Sequence, residues 1–221
     1  MTKKMKLELG QYSEGVLYHD FSKHPVLLIA GSTGSGKSNL EHYLIRQIMT
    51  DSKFLDFNLI LVDCKRVEFG YLKKIDSLTN QRIIDIDESD LLEKSGWEQL
   101  NKILDQCYSL LIVTDEFSDL AYSRPKELEE LVEKIDNIKS QLKNIGLVLS
   151  TSCPRDDVLT PKIDELIKYR ICLKFHNGDD YQKIIGSDYP TNLEPGYGLY
   201  GKKNDKQFIK FHTPNIIDDI K

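Results

Sequence analysis

The residues best suited to chemistry are Gly31-Ser32-Thr33-Gly34-Ser35-Gly36-Lys37-Ser38 and, further along, Asp115-Glu116. The first stretch fits G-x-x-x-x-G-K-[S/T] without a mismatch. Its glycines let the backbone curl until several N–H groups face one anion, and a helix opening behind it adds partial positive charge. In such a loop Lys37 reaches the β- and γ-phosphates of a nucleoside triphosphate and the Ser38 hydroxyl ligates Mg²⁺. Asp115-Glu116 closes an apolar run, Leu110-Leu111-Ile112-Val113, downstream of that loop. Asp115 there would hold Mg²⁺ directly or through its waters, and Glu116 would orient and deprotonate an attacking water. A solvated acidic pair at a strand end is the plainer alternative, and the phosphate loop upstream favours the catalytic one. A third position is Ser152, in Ser150-Thr151-Ser152. In ring-forming ATPases a polar side chain here senses the γ-phosphate; an ordinary polar strand end accounts for the same residues.

These groups need elements to hold them. Val26-Leu27-Leu28-Ile29-Ala30 is unbroken and apolar, as in a strand buried on both faces of a parallel sheet. Leu40, Tyr43, Leu44 and Ile48 recur at helical spacing, so a helix over 37–49 follows the loop. That strand and helix make an accidental Gly/Ser-rich turn a poor account of the motif. Phe57–Asp63 is a second core strand, Arg82–Asp87 a shorter one, and a helix is expected over 88–107. Pro125 opens a helix whose stripe of Leu128, Leu131, Val132, Ile135, Ile138, Leu142 and Ile145 ends at a Gly146 C-cap. Leu147–Thr151 and Arg170–Phe175 are further strands, with a helix near 161–168, and Gln207–Phe211 is extended. Strands alternating with helices imply an α/β fold with a mainly parallel central sheet flanked by helices. The expected organisation over 1–221 is one domain: a short β-rich leading segment (1–25), a core (26–175) and a C-terminal extension with a hairpin (176–221).

At 221 residues, 40% hydrophobic and 29% charged, the composition is that of an ordinary soluble globule with no apolar run long enough to cross a bilayer. Met1–Lys6 is basic, but no apolar signal core follows, so a cytoplasmic location is expected. Cys64, Cys107, Cys153 and Cys172 are scattered, which favours buried free thiols over zinc or disulfides. His19, His24, His42, His176 and His212 are expected in loops or at the surface. A net charge of −5 argues against a simple DNA-coating domain, though not against a motor that touches nucleic acid through a few loops.

Taken together, the motifs resemble the FtsK/SpoIIIE DNA translocases, in order and along nearly the whole chain. The stretch from His24 to Asn39 looks like that family's P-loop region. Leu61-Val62-Asp63-Cys64-Lys65-Arg66-Val67-Glu68-Phe69 is close to its Asp-x-Lys-Arg-Val-Glu segment, and Asp115-Glu116-Phe117-Ser118-Asp119-Leu120 to its Walker B. Ser150–Pro154 with Asp157-Val158-Leu159-Thr160 is similar to its sensor strand and the segment after it, and Arg170 and Asp180 fall on further family positions. The resemblance implies a RecA-like P-loop NTPase that forms a ring, usually a hexamer, and pulls double-stranded DNA through its pore using ATP with Mg²⁺. It also implies a motor without membrane segment, linker or winged-helix domain. Such a motor suits a plasmid, phage or other mobile element and a relaxation, replication or packaging partner.

Departures stand beside the resemblance. Gln141 occupies the place of the arginine that the family presents to a neighbouring subunit, Ser152 replaces the sensor glutamine, Cys153 the arginine after it, and Gln182 another family arginine. An arginine finger is worth ~10³–10⁵ in rate. Either Lys143, Arg124 or Arg155 takes the role, or turnover stays slow until a partner engages. Two other functions fit the same motifs: a protein-translocating secretion ATPase, and a weakly hydrolysing ATP-binding interaction module.

Overall fold

The computed structural model describes residues 4–63, 69, 72, 83–84, 91, 93–138, 143–186 and 193–216. Ten strands lie in one sheet: β1 (Lys6–Tyr12), β2 (Gly15–Asp20), β3 (Val26–Ala30), β4 (Asn58–Asp63), β5 (Ile83–Ile84), β6 (Ser109–Asp115), β7 (Asn144–Thr151), β8 (Tyr169–Cys172), β9 (Tyr197–Lys202) and β10 (Ile209–His212). The helices are α1 (Lys37–Thr50), α2 (Lys94–Gln106), α3 (Ser118–Ser123), α4 (Pro125–Ile138), α5 (Pro161–Leu166) and α6 (Gly178–Ile185). The spatial order is β2-β1-β10-β9-β8-β3-β7-β6-β4-β5. The six strands from β8 to β5 are parallel, and β9, β10, β1 and β2 extend the sheet antiparallel. The expected α/β class with a mainly parallel centre is therefore the observed one.

The continuous apolar runs of the central strands follow from burial on both faces. Leu28, Ala30, Ile112, Leu147 and Leu149 face one core with Trp97, Leu104, Leu131, Val132 and Ile184. Their neighbours Leu27, Ile29, Leu111, Val113 and Val148 face the other, with Leu40, Leu44 and Ile48 of α1, Leu7 and Leu9 of β1, and Met5 just before it. Trp97 thus belongs to the core.

The register brings the carboxyl ends together. Ala30 lies opposite Thr151 and Cys172, and Asp63 opposite Asp115. Ligands of open α/β sheets gather at this edge.

Several boundaries differ from the expected ones. Of the expected strand over 82–87 only Ile83–Ile84 (β5) are among the described residues, and α2 begins at Lys94. The helix α4 ends its described run at Ile138, while Ile145 and Gly146 are inside β7, paired with Leu110 and Leu111. Gly146 is not a cap. A Cβ there would stand 2.6 Å from Phe21 Cδ1 and 2.7 Å from Met5 Cε, so glycine is what lets the leading segment lie flat on the sheet. Two histidines are also inside. His19 is buried between the Tyr200 hydroxyl and the His24 carbonyl, each 2.8 Å away, and buried His42 packs edge-on to Phe69. Of the cysteines, Cys172 is buried while Cys107 and Cys153 are half-buried, all three as free thiols. Cys64 lies outside the described residues.

Candidate nucleotide site

Strand β3 delivers the chain to the sheet edge, and the phosphate loop begins there. Gly31 N–H donates to Thr151 O at 3.2 Å and Ser32 N–H to Lys174 O at 2.9 Å, which fixes the loop to β7 and to the chain following β8. Gly34 (φ 76°) and Gly36 (φ 105°) take left-handed backbone that side chains resist, and they turn the chain into α1. A Cβ at Gly31 would meet Ser35 Oγ at 2.6 Å and Leu173 Cβ at 2.7 Å, so glycine is required there by close approach. No side chain caps α1. Uncapped N–H groups at a helix N-terminus behind a glycine loop form an anion cradle, which fits a nucleotide phosphate. Ser35 Oγ is buried in the same loop with no hydrogen-bond partner among the described residues. Lys37 is almost fully buried, and its ammonium donates to Gly31 O (2.7 Å) and Ser32 O (3.3 Å), so its charge lies across the loop. Ser38 is half-buried in the first turn of α1, and Thr33 is exposed at the loop tip.

Two strands away, β6 ends in buried Asp115, and Glu116 follows with φ 51°. Left-handed backbone is uncommon for a glutamate, and such residues cluster at functional sites. The carboxylate is turned toward the end of β7. Its Oε1 accepts from Ser118 Oγ (2.8 Å), Thr151 Oγ1 (2.7 Å) and Ser152 N (3.1 Å). Its Oε2 accepts from Ser152 N (3.0 Å) and from the Ser152 hydroxyl. Burial pushes the Glu116 pKa up, but the Ser152, Thr151 and Ser118 hydrogen bonds outweigh it and bring the value down to about 2. Glu116 is therefore ionised throughout the physiological range. Asp63, beside Asp115, accepts from Phe69 N at 3.0 Å.

The sheet edge thus gathers Gly31–Ser38, Asp115, Glu116 and Ser152. Ser118 and Thr151 join them as partners of Glu116, which the sequence did not single out. A hydroxyl two residues after a strand-end acid is too common a pattern to be a signal. Of the arginine-finger alternatives, Lys143 donates to Leu104 O and Asp105 O (2.9 and 2.8 Å) just before β7, at the opposite end of that strand. Arg124 pairs with Glu127 at 3.2 Å. Exposed Arg155, beyond Ser152, bonds the Tyr122 hydroxyl and lies 3.6 Å from Asp157. Gln141 lies outside the described residues. Arg170, one of the family-like positions, is a buried structural cation: its guanidinium bonds Asp164 at 2.7 Å.

Fold and site together define a P-loop NTPase domain of RecA-like architecture. Within that class, residues 2–94 match the FtsK/SpoIIIE family. A DNA translocase FtsK of Borreliella burgdorferi is 29% identical over 263 residues, covering 98% of this chain and 33% of its own length. A second, from Corynebacterium glutamicum, is 30% identical over 215 residues, with 82% of this chain and 23% of the relative aligned. In sequence the chain is similar to these DNA translocases along most of its length, and it spans a third or less of these two relatives. Solved structures agree on the fold. The pCW3 conjugation coupling protein TcpA, in monomer form with ATPγS, superposes with a TM-score of 0.72 at 22% identity, covering 100% of this chain and 68% of its own. The cytoplasmic domain of the Thermomonospora curvata type VII secretion ATPase EccC superposes at 0.73 with 20% identity, over 96% of this chain and 28% of that one.

Proposed function

We propose that this chain is the motor domain of an ATP-driven translocase of double-stranded DNA. What supports the hydrolytic half is one juxtaposition: the uncapped P-loop helix and an ionised Glu116 meet at the same edge of the sheet. What supports DNA is the likeness to DNA translocases along most of the chain. Lys37 would bind the β- and γ-phosphates, and the Ser38 hydroxyl with Asp115 would hold Mg²⁺, whose remaining ligands are phosphate oxygens and water. The ion supplies charge neutralisation on the transferring phosphoryl group. Glu116, a weak base, would act chiefly by accepting a hydrogen bond from the attacking water and fixing its line of approach. Ser152, just past the end of β7, holds that carboxylate together with Thr151.

A ring of such subunits, with hexamers favoured, would place a neighbour against each nucleotide. Among the described residues no helix is long and apolar enough to cross a membrane. The free thiols fit a cytoplasmic protein. A mobile-element context in transfer, replication or packaging is the biological setting proposed for it.

The test is ATP turnover with and without duplex DNA over a series of salt concentrations. Turnover should rise with DNA, the stimulation should weaken as salt increases, and Lys37→Ala and Glu116→Gln should abolish it. Turnover indifferent to DNA at every salt concentration would sink the DNA reading. A peptide-stimulated rate in that case would favour the secretion-ATPase alternative.

A further inference from the structure

A groove of about 700 Å³ lies in the antiparallel part of the sheet. Its walls are the turn after β1 and the β9–β10 hairpin, with Tyr197, Lys210 and His212 among the lining residues. The volume falls within the ~300–1,000 Å³ of small-molecule sites.

Gly196, next to the lining residue Tyr197, touches the phosphate loop. Gly196 N–H donates to Ser35 O at 3.0 Å, and a Cβ on Gly36 would stand 3.0 Å from Gly196 N. A Cβ on Gly196 would in turn lie 3.4 Å from His212 Nε2. Thr213 N–H closes the turn by donating to Gly196 O at 3.1 Å. Asn39, in the first turn of α1, donates to Pro214 O and accepts from Ile216 N, both at 2.9 Å. Gly196 and residues 213–216 are therefore fastened to the loop and its helix at several points.

The first side chains beyond Gly196 are aromatic. The Tyr197 ring lies 4.7 Å from the His212 imidazole at an interplanar angle of 49°, and Lys210 Nζ is 5.1 Å from the Tyr197 centroid. A triphosphate held by Gly31–Ser38 carries its nucleoside within one nucleotide length of Gly36, and the wall on this side of Gly36 is Gly196, His212 and Tyr197. Flat π-faces stack any nucleobase, and a neighbouring ammonium attracts the ring's acceptor atoms.

The geometry points to Tyr197 and His212 as the base-reading wall of the nucleotide site, where the purine of the bound triphosphate stacks. This assignment rests on the phosphate-site reading above and adds the residues that grip the nucleoside. Gly36 has a matching purpose: a Cβ there would stand 3.0 Å from Gly196 N and press the wall away from the loop.

The experiment compares Mg²⁺–ATP with Mg²⁺–tripolyphosphate, which has the phosphates and no base, by calorimetry on the full chain. Tyr197→Ala and His212→Ala should each weaken ATP about tenfold and leave tripolyphosphate within about twofold. A measurement needing no variant runs alongside: the His212 ring protons, followed by NMR, should shift with ATP and stay in place with tripolyphosphate. ATP affinity unchanged in both variants, an equal loss for both ligands, or a silent His212 ring on ATP binding would each overturn the assignment. Binding of neither ligand by the unaltered protein would remove the phosphate site itself and the base wall with it. Equal wild-type affinity for ATP and tripolyphosphate would leave the phosphate site standing and the base wall refuted.

Discussion

Ser152 grips Glu116 through both its backbone N–H, 3.0 Å from Oε2, and its hydroxyl. With Thr151 and Ser118 it makes a set of short polar side chains around a carboxylate on left-handed backbone. At a position where FtsK/SpoIIIE-like sequences have glutamine, the shorter serine reaches the glutamate. Because these bonds hold the Glu116 pKa near 2, the rate of ATP turnover should show no acid limb from Glu116 above about pH 4. Removing donors raises that pKa. Each hydrogen bond to a charged group is worth about 1.5–3 kcal/mol, so the Thr151→Val, Ser152→Ala double variant should move the limb to roughly pH 4 or above. A pH–rate profile of the two proteins between pH 4 and 8 measures it, and coincident profiles would refute the set as the cause.

Lys37 and Glu116 should fail in different ways. Lys37→Ala removes the cation lying across the loop, so nucleotide affinity should collapse along with turnover. Glu116→Gln keeps the loop and α1 intact, so ATP should still bind while turnover falls about 10²–10⁴-fold. Equilibrium binding of a fluorescent ATP analogue, paired with phosphate release, separates the two. Loss of binding in Glu116→Gln would show that the carboxylate organises the loop instead of the water.

Arg170 is a buried charge that ties several elements together. Its guanidinium is almost fully buried and bonds Asp164 Oδ1 at 2.7 Å, Asp164 O at 2.6 Å, Ile167 O at 3.2 Å and Ile184 O at 3.3 Å. Lys203 also holds Asp164, at 2.7 Å. One side chain therefore joins β8, α5 and α6. Breaking a buried pair from one side costs about 3–5 kcal/mol, so Arg170→Met should lose stability of that order in urea unfolding. Its effect on ATP affinity should be small, because the cluster stands on the face of the sheet away from α1. A stability change under about 1 kcal/mol would contradict the clamp.

Much of the site was legible because its parts are local. The phosphate loop lies in eight consecutive residues, and Asp115-Glu116 ends an apolar run whose burial on both faces is written in its composition. What escaped depends on contacts between distant segments. Helical periodicity carried through Ile145, so Gly146 resembled a cap; its real constraint is Phe21 and Met5, more than 120 residues earlier. Thr151 became a partner of Glu116 only through the register of β6 on β7, and Ser118, two residues on, through the left-handed turn at Glu116. A sequence pattern has no term for any of these. Gly146→Ala therefore separates the two roles: a cap would tolerate alanine with a modest loss, whereas the packed strand should lose about 1–3 kcal/mol through forced displacement of Phe21. Thermal unfolding with a Phe21→Leu background tests the cause, since the smaller side chain should recover part of the loss.

His19 provides a pH dependence that a surface histidine would not. Burial lowers its pKa from 6.5 to about 3, against the opposing hydrogen bond to the His24 carbonyl. Its other ring nitrogen lies 2.8 Å from the Tyr200 hydroxyl, and the ring packs edge-on to Phe21 and Tyr169. The folded protein thus holds His19 neutral across a range in which the unfolded chain takes up a proton. The unfolded state binds more protons between pH 6.5 and about 3, so stability is fully present above 6.5 and is lost as the pH falls toward 3. At pH 5 the loss relative to pH 8 should be about 2 kcal/mol. Glu116 and Asp164, whose pKa values are lowered, act in the same direction but at more acid pH, and because His42 is a second buried histidine the comparison with His19→Gln is what assigns the slope between pH 5 and 8. Urea unfolding at pH 8, 6.5 and 5 should show the decline, and His19→Gln, though less stable at pH 8, should show a flatter one. An equal slope in both proteins would assign the pH dependence elsewhere and leave His19 as packing alone.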